Sequence, residues 1–189
     1  MTRVVLVRHT NSVPDAGVTA DLWDVTDTGR QRAAMLVPAM RDLGVDLVVT
    51  SPERKAVITG DILAQGLGTR RIEMPDLSEQ SWSRVPFLAA QEDFVATVRD
   101  HFARPDEMVF GEESSRAAGE RFDRVVQEVL ALPGPPRIPA FVSHGRIMSA
   151  WIALLIGEDA FTFWQDLRMP DAFRVDVEQR TWERVPSGV

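Results

Sequence analysis

Cysteine is absent from all 189 residues, which excludes disulfides, thiolate nucleophiles, Cys-ligated zinc and iron–sulfur clusters. That absence suits a reducing compartment. Histidine is scarce, with three in the chain, and no apolar run approaches the roughly 20 residues that a membrane-spanning helix needs. Met1-Thr2-Arg3 leads straight into a short apolar pattern, too brief for a signal-peptide core. The expected location is therefore cytoplasmic, with no membrane partner. Positive charge is also in deficit: a net charge of −7 and a pI near 5.0 argue against nucleic acid or anionic lipid as partners. No GxGxxG, Walker loop, zinc-ligand spacing, internal repeat or low-complexity tract is present.

Against these absences stand two short apolar runs that each deliver a histidine at their exit. Arg3-Val4-Val5-Leu6-Val7 leads into Arg8-His9-Thr10-Asn11-Ser12, and Ala140-Phe141-Val142 leads into Ser143-His144-Gly145. A β-branched run that stops at a functional side chain places it at the C-terminal edge of a sheet, where open α/β folds bind ligands. An acidic protein that binds an anion must concentrate cations and backbone N–H groups in one place, so Arg8 beside His9 marks a local anion site.

The rest of the chain alternates strand and helix patterns. Residues 13–25 read as a loop. Thr26 is the expected N-cap of a helix that runs to Gly44 on Ala33, Leu36, Val37, Met40 and Leu43. A strand from Val45 to Thr50 follows, then Ser51-Pro52 as N-cap and first helical position of a helix to about Gln65. Arg71 to Met74 is a short strand, and residues 75–90 are irregular, with Trp82, Pro86 and Phe87 as apolar anchors. Helices are expected over 91–103 and 113–132, a strand over 139–143, a helix over 146–156, and a terminal hairpin of 173–177 and 181–185 turning at Glu178-Gln179-Arg180. His101, among Arg99, Asp100 and Arg104, reads as a surface residue. Trp151, Phe161, Phe163 and Trp164 read as core or interface, or as an aromatic wall for the organic part of a ligand. The pattern predicts one α/β domain spanning residues 1–189, its mostly parallel sheet carrying an antiparallel edge near the C-terminus.

Six segments in order resemble the histidine phosphatase superfamily, the group that contains the cofactor-dependent phosphoglycerate mutases. Arg8-His9-Thr10-Asn11-Ser12 is similar to its Arg-His-Gly-x-Thr/Ser opening, and Thr26-Asp27-Thr28-Gly29 to its Thr-x-x-Gly helix start. Ser51-Pro52-Glu53-Arg54-Lys55-Ala56-Val57-Ile58-Thr59 is similar to Ser-Pro-x-x-Arg-Ala-x-Gln-Thr. Leu77-Ser78-Glu79 matches a Leu-x-Glu, Gly111-Glu112-Glu113-Ser114 a Gly-Glu-Ser, and Val142-Ser143-His144-Gly145 the late Ser/Thr-His-Gly. The resemblance covers residue 3 to about residue 177. It implies a three-layer α/β/α fold of the phosphoglycerate mutase type.

The resemblance also implies roles. His9 is the nucleophile that takes the phosphoryl group, Arg8 and Asn11 bind phosphoryl oxygens, and His144 supplies a further catalytic and phosphate-binding donor. Glu79 acts as acid and then base, a task that suits a carboxyl group raised toward neutrality by burial; Glu73, Asp76 and Glu92 are its nearby competitors. The expected activity is metal-independent hydrolysis of a phosphomonoester with no cofactor, on a small-molecule phosphate ester or a phosphoprotein. Two alternatives stay open: a phosphate- or phosphoprotein-binding regulatory module with little turnover, and a phosphoglycerate mutase-type phosphotransferase. The hairpin and the tryptophan-rich helix region are compatible with a homodimer, with burial within one chain as the simpler account.

Three departures matter. Thr10 stands where the family commonly has glycine. The second pocket arginine falls on Lys55, which brings charge without a bidentate fork; Arg54 lies about 100° away around the helix and replaces that arginine only if the helix start shifts. Asp15 occupies a loop where many relatives place an asparagine, and a carboxylate there would repel phosphate. That loop is therefore expected to point elsewhere; the Trp-Asn pair of the mutases and their longer chains with lid insertions are also missing, and both facts favour hydrolysis over mutase activity.

Overall fold

In the computed structural model, which describes residues 2–15, 17–81, 91–109 and 111–186, the two histidine-bearing runs are adjacent strands at the centre of one sheet. The strands are β1 (Arg3–Arg8), β2 (Leu47–Thr50), β3 (Arg71–Glu73), β4 (Pro139–Ser143), β5 (Asp171–Asp176) and β6 (Thr181–Arg184), in spatial order β3-β2-β4-β1-β5-β6. β3, β2, β4 and β1 pair in parallel; β5 and β6 are antiparallel and form the expected edge.

Alternation along each central strand sends side chains to two cores. Val5, Val7, Val48, Ala140 and Val142 meet Leu36, Met40 and Leu63 on one face, which is covered by α1 (Asp27–Met35), α2 (Val37–Leu43) and α3 (Arg54–Leu67). Val4, Leu6, Val49 and Phe141 meet Phe122, Val125, Ile147, Trp151 and Phe163 on the other, beneath α5 (Ser115–Leu130), α6 (Gly145–Ile156) and α7 (Ala160–Asp166). α4 (Gln91–Ala103) packs against α7. The result is the three-layer α/β/α architecture. Gly119 lets α5 and α6 approach closely, since a Cβ there would sit 2.8 Å from the Ala150 carbonyl oxygen.

The topology creates the crevice. The chain leaving β1 crosses to the α1–α2 face and the chain leaving β4 enters α6 on the opposite face, so a switch point opens between the C-terminal ends of these two neighbours. His9 and His144 are the first residues past those ends.

Three local expectations are corrected. The helix from Thr26 to Gly44 is broken at Leu36, whose N–H bonds to Ala33; Pro38, which has no N–H to continue the hydrogen-bond ladder, sits in the first turn of the new helix α2, where that N–H is not needed. Ser51 does not cap α3, which begins at Arg54; its hydroxyl instead accepts the Glu53 N–H at 3.2 Å. Thr26 does cap α1, accepting the Gly29 N–H at 2.9 Å. The third correction concerns His101, fully buried in α4 rather than at the surface. Trp82, Pro86 and Phe87 lie outside the described residues. Trp151 and Phe163 are core, whereas Phe161 and Trp164 are partly buried and stack on each other.

Candidate active site

His9 follows β1 and is held by backbone on both sides. Its N–H donates to the Ser143 carbonyl at 3.0 Å, and its ring Nδ1 donates to the Thr10 carbonyl at 2.8 Å. A carbonyl only accepts, so Nδ1 carries the proton and Nε2 keeps its lone pair. Burial, then the neighbouring His144, Lys55 and Arg8, push the His9 pKa well below its usual value, against a smaller opposing effect of the Thr10 carbonyl. The ring is therefore neutral at pH 7. Thr10, in the usual glycine position, is fully buried and satisfied: its N–H donates to Thr59 Oγ1 at 3.2 Å and its hydroxyl to the Gly29 carbonyl at 2.8 Å.

His144 stands across the crevice, its ring centroid 5.1 Å from that of His9. It occupies the N-cap position of α6 without capping it. Its Nε2 lies 2.8 Å from the Ser51 hydroxyl and 3.2 Å from Glu53 Oε1. Burial dominates in taking its pKa down to about 3, with Lys55, Arg146 and Arg8 adding to the effect and Glu79 opposing it.

The cations differ in their commitments. Arg8 donates through Nη1 to the Leu167 carbonyl at 3.1 Å, while its buried Nε has no hydrogen-bond partner among the described residues. Lys55 is 6% exposed and gives Nζ to Glu53 Oε2 at 2.5 Å and to the Ala20 carbonyl at 2.7 Å, beside the Trp23 ring. Arg54 points outward and pairs with Asp24 at 2.6 Å. Between the two candidates for the missing arginine, the structure brings Lys55 and not Arg54 to the histidines. Asn11 sits at the rim, where its Oδ1 accepts from Arg32 at 3.2 Å and its carbonyl takes the Thr26 N–H at 3.0 Å. Asp15 is exposed and accepts the Gly17 N–H at 2.8 Å.

Glu79 reaches the site but not in the expected electrostatic state. Its Oε1 accepts the Gln80 and Ile147 N–H groups, each at 3.0 Å, and its Oε2 accepts the Arg146 N–H at 3.0 Å. Thus it caps α6 in place of His144. Burial alone would raise its pKa, yet the Arg146 and His144 charges and the Arg146 and Gln80 N–H bonds outweigh it and bring the value down to about 2. The expectation of a carboxyl group near neutrality is corrected for the unliganded protein. Of its competitors, Glu73 and Asp76 face other partners, Arg71 and the Arg121-bound turn, and Glu92 lies in the first turn of α4.

Sequence reasoning missed three buried polar residues here. Arg146, 3% exposed, donates Nη2 to the Gln80 carbonyl at 2.7 Å and places Nε 3.6 Å from Glu79. Gln80, 2% exposed, holds His101 through Oε1 at 3.0 Å from Nε2. Glu53 is 9% exposed, and its Oε1 accepts the Glu79 N–H at 2.7 Å. Arg146 directly follows the His144-Gly145 pair, which was a usable signal; Gln80 and Glu53 had none.

Chemically, the arrangement joins a neutral imidazole with a free lone pair, two cationic side chains and an ionised carboxylate at the end of a parallel sheet. That is equipment for attack on an electrophile carried by an anion. The sequence profile of the histidine phosphatase superfamily (branch 1) matches residues 4–183. The chain belongs to this superfamily. A relative named probable phosphoglycerate mutase GpmB, from Cronobacter sakazakii, is 26% identical over 165 residues, covering 84% of this chain and 75% of the relative. Among solved structures, a mycobacterial glucosyl-3-phosphoglycerate phosphatase is 18% identical with a TM-score of 0.73, covering 99% of both chains. A phosphoserine phosphatase from Entamoeba histolytica, solved with 3-phosphoglyceric acid, is 14% identical with a TM-score of 0.74, covering 98% of this chain and 96% of that one. These likenesses fix the fold. Phosphatases and mutases both stand among the neighbours, and an enzyme of one of these two kinds fits the chain. No helix of the described residues is long and apolar enough to cross a membrane.

Proposed function

We propose that the chain is a phosphomonoester hydrolase that works through a phosphohistidine on His9. The observation that carries this reading is the His9 ring: Nδ1 is tied to the Thr10 carbonyl, and the neutral ring leaves Nε2 available as a nucleophile. In the first step the Nε2 lone pair forms a bond to phosphorus and the bond to the ester oxygen breaks. The departing oxygen takes a proton from Glu79. Glu79 is ionised before substrate arrives, and a phosphoryl dianion beside it raises its pKa, so that it takes up the proton it then donates.

In the second step water attacks phosphorus, Glu79 accepts the water proton, and the P–N bond breaks with its electron pair returning to Nε2. Arg8 and Lys55 hold the phosphoryl oxygens through both steps, and His144 donates to them once the phosphoryl dianion has raised its pKa and Nδ1 has taken up a proton. Charge neutralisation comes from side chains, so this scheme calls on no metal or cofactor. The substrate is a small phosphate ester or a phosphoprotein, and we place the protein in the cytoplasm, with which its cysteine-free composition is compatible.

The test is hydrolysis of a phosphomonoester panel with chelator present, comparing wild type with His9→Ala. Chelator-resistant turnover lost in the variant supports the reading; equal turnover by clean His9→Ala protein overturns it. The mutase alternative draws on the relative's name, and phosphate moving between two positions of one acid, rather than to water, would establish it. Phosphate binding without turnover across the panel would establish the binding module.

A further inference from the structure

Glu53 is a buried carboxylate that the reaction above leaves without a task. Its Oε2 accepts from Lys55 Nζ at 2.5 Å, and its Oε1 accepts the Glu79 N–H at 2.7 Å and lies 3.2 Å from His144 Nε2. The cation at the family's arginine position, the second histidine and the backbone of the candidate acid thus converge on one side chain. A carboxylate this buried needs its Lys55 partner, and such a pair is often no more stable than two apolar side chains filling the same volume. Stability alone gives little reason for the pair.

Its contacts have a consequence for His144. A carboxylate only accepts, so Nε2 carries the proton toward Glu53 and Ser51. His144 Nδ1, buried and with no hydrogen-bond partner among the described residues, is the ring nitrogen left over for a ligand, and it donates to a phosphate oxygen only when the ring takes up a second proton. Lys55 in turn arrives at the site already paired with a negative charge.

We propose that Glu53 is a positioning residue of the phosphoryl-transfer site, aligning Lys55, His144 and Glu79, and that its negative charge weakens phosphate binding and so favours monoesters over more highly charged bisphosphates. This rests on the phosphatase reading for turnover, but not for binding. Two variants separate alignment from charge. Glu53→Gln removes the charge and keeps the shape, whereas Glu53→Asp keeps the charge and withdraws the carboxylate from its partners.

The experiment is calorimetric titration of wild type and both variants with inorganic phosphate, together with kcat and KM on the best monoester and a thermal melt of each protein. Glu53→Gln is expected to bind phosphate about fivefold tighter because a like charge has gone, while kcat falls about tenfold because the aligned groups drift. Glu53→Asp is expected to hold phosphate affinity within about twofold while kcat still falls. A purely structural role would lower kcat without tightening phosphate. Weaker or unchanged phosphate binding in folded Glu53→Gln, or wild-type kcat in Glu53→Asp, overturns the proposal; if Glu53→Gln does not fold, the Glu53→Asp result decides. Should the wild type prove inactive on every ester, the phosphatase reading fails, and the phosphate titration still decides the charge role of Glu53.

Discussion

Glu79 and Arg146 are joined twice: Glu79 Oε2 accepts the Arg146 N–H at 3.0 Å and lies 3.6 Å from the Nε of the same residue. One carboxylate therefore caps α6 and balances a buried guanidinium. Any proton that Glu79 handles is exchanged against both contacts.

Acid stability follows from this. The Glu79 pKa is depressed in the folded protein, so its contribution is fully present above the unfolded value near 4.3 and is lost as pH falls toward about 2. The contribution is roughly 3 kcal/mol. In urea melts taken between pH 5 and pH 2, Glu79→Gln is expected to be less stable than wild type at pH 5 and to lose less stability toward pH 2. Parallel pH profiles would contradict this. Turnover by the same variant is expected to fall by about 10²-fold or more.

His101 gives a second pH window. Burial, helped by Arg146 and opposed by Glu79 and Asp100, lowers its pKa to about 4. A histidine with a depressed folded pKa stabilises above its unfolded value near 6.5, and this is lost as pH falls through the range down to about 4. His101→Gln is expected to reduce the slope of the stability profile between pH 6.5 and 4 without abolishing it, because His9 and His144, also depressed, lose stability from the same unfolded value downward. A surface histidine would leave the profile unchanged.

How much of this was legible in the chain depends on the distance over which each signal acts. The exits at His9 and His144, the Thr26 cap and the hairpin turn are written in short windows: β-branched runs, a cap residue before an apolar period, a polar tripeptide between strands. The choice of Lys55 over Arg54 was open because a helix start one residue off exchanges their faces, and Asp24, which holds Arg54 outward, comes from a separate loop. The burial of His101 came from Gln80, a residue of another segment, and the polar neighbours of His101 in sequence pointed the opposite way. Glu79 misled for a related reason. Against the opposing effect of burial, its pKa is brought down chiefly by Arg146 and His144, with help from backbone N–H groups, and these two residues lie at the start of a helix far along the chain that no local pattern connects to Glu79.

Lys55 and Arg54 should separate cleanly. Lys55→Ala strands the Glu53 carboxylate in a buried site and is expected to destabilise by about 3–5 kcal/mol while weakening phosphate binding. Arg54→Ala breaks an exposed pair with Asp24 and is expected to cost at most about 1 kcal/mol. Thermal melts and phosphate titrations of the two variants make the comparison. Equal effects, or phosphate binding lost only with Arg54, would return the second cation to Arg54.

Packing between α5 and α6 also supports the site, because α6 carries the N–H groups that Glu79 holds. Gly119→Ala would place its Cβ 2.8 Å from the Ala150 carbonyl oxygen, and overpacking of this kind costs about 1–3 kcal/mol. Chemical denaturation is expected to show the loss even though alanine is the better helix former. Unchanged or increased stability would mean that the two helices separate freely.

The central claim is that His9 Nε2 carries the phosphoryl group. The direct measurement is trapping of protein incubated with a radiolabelled phosphomonoester by quench into alkaline denaturant, followed by mapping of the labelled peptide at alkaline pH. An acid-labile, base-stable label on the peptide containing His9, absent from His9→Ala, is the expected result. Rapid turnover with no labelled protein at any quench time, or a label that persists in His9→Ala, would contradict it.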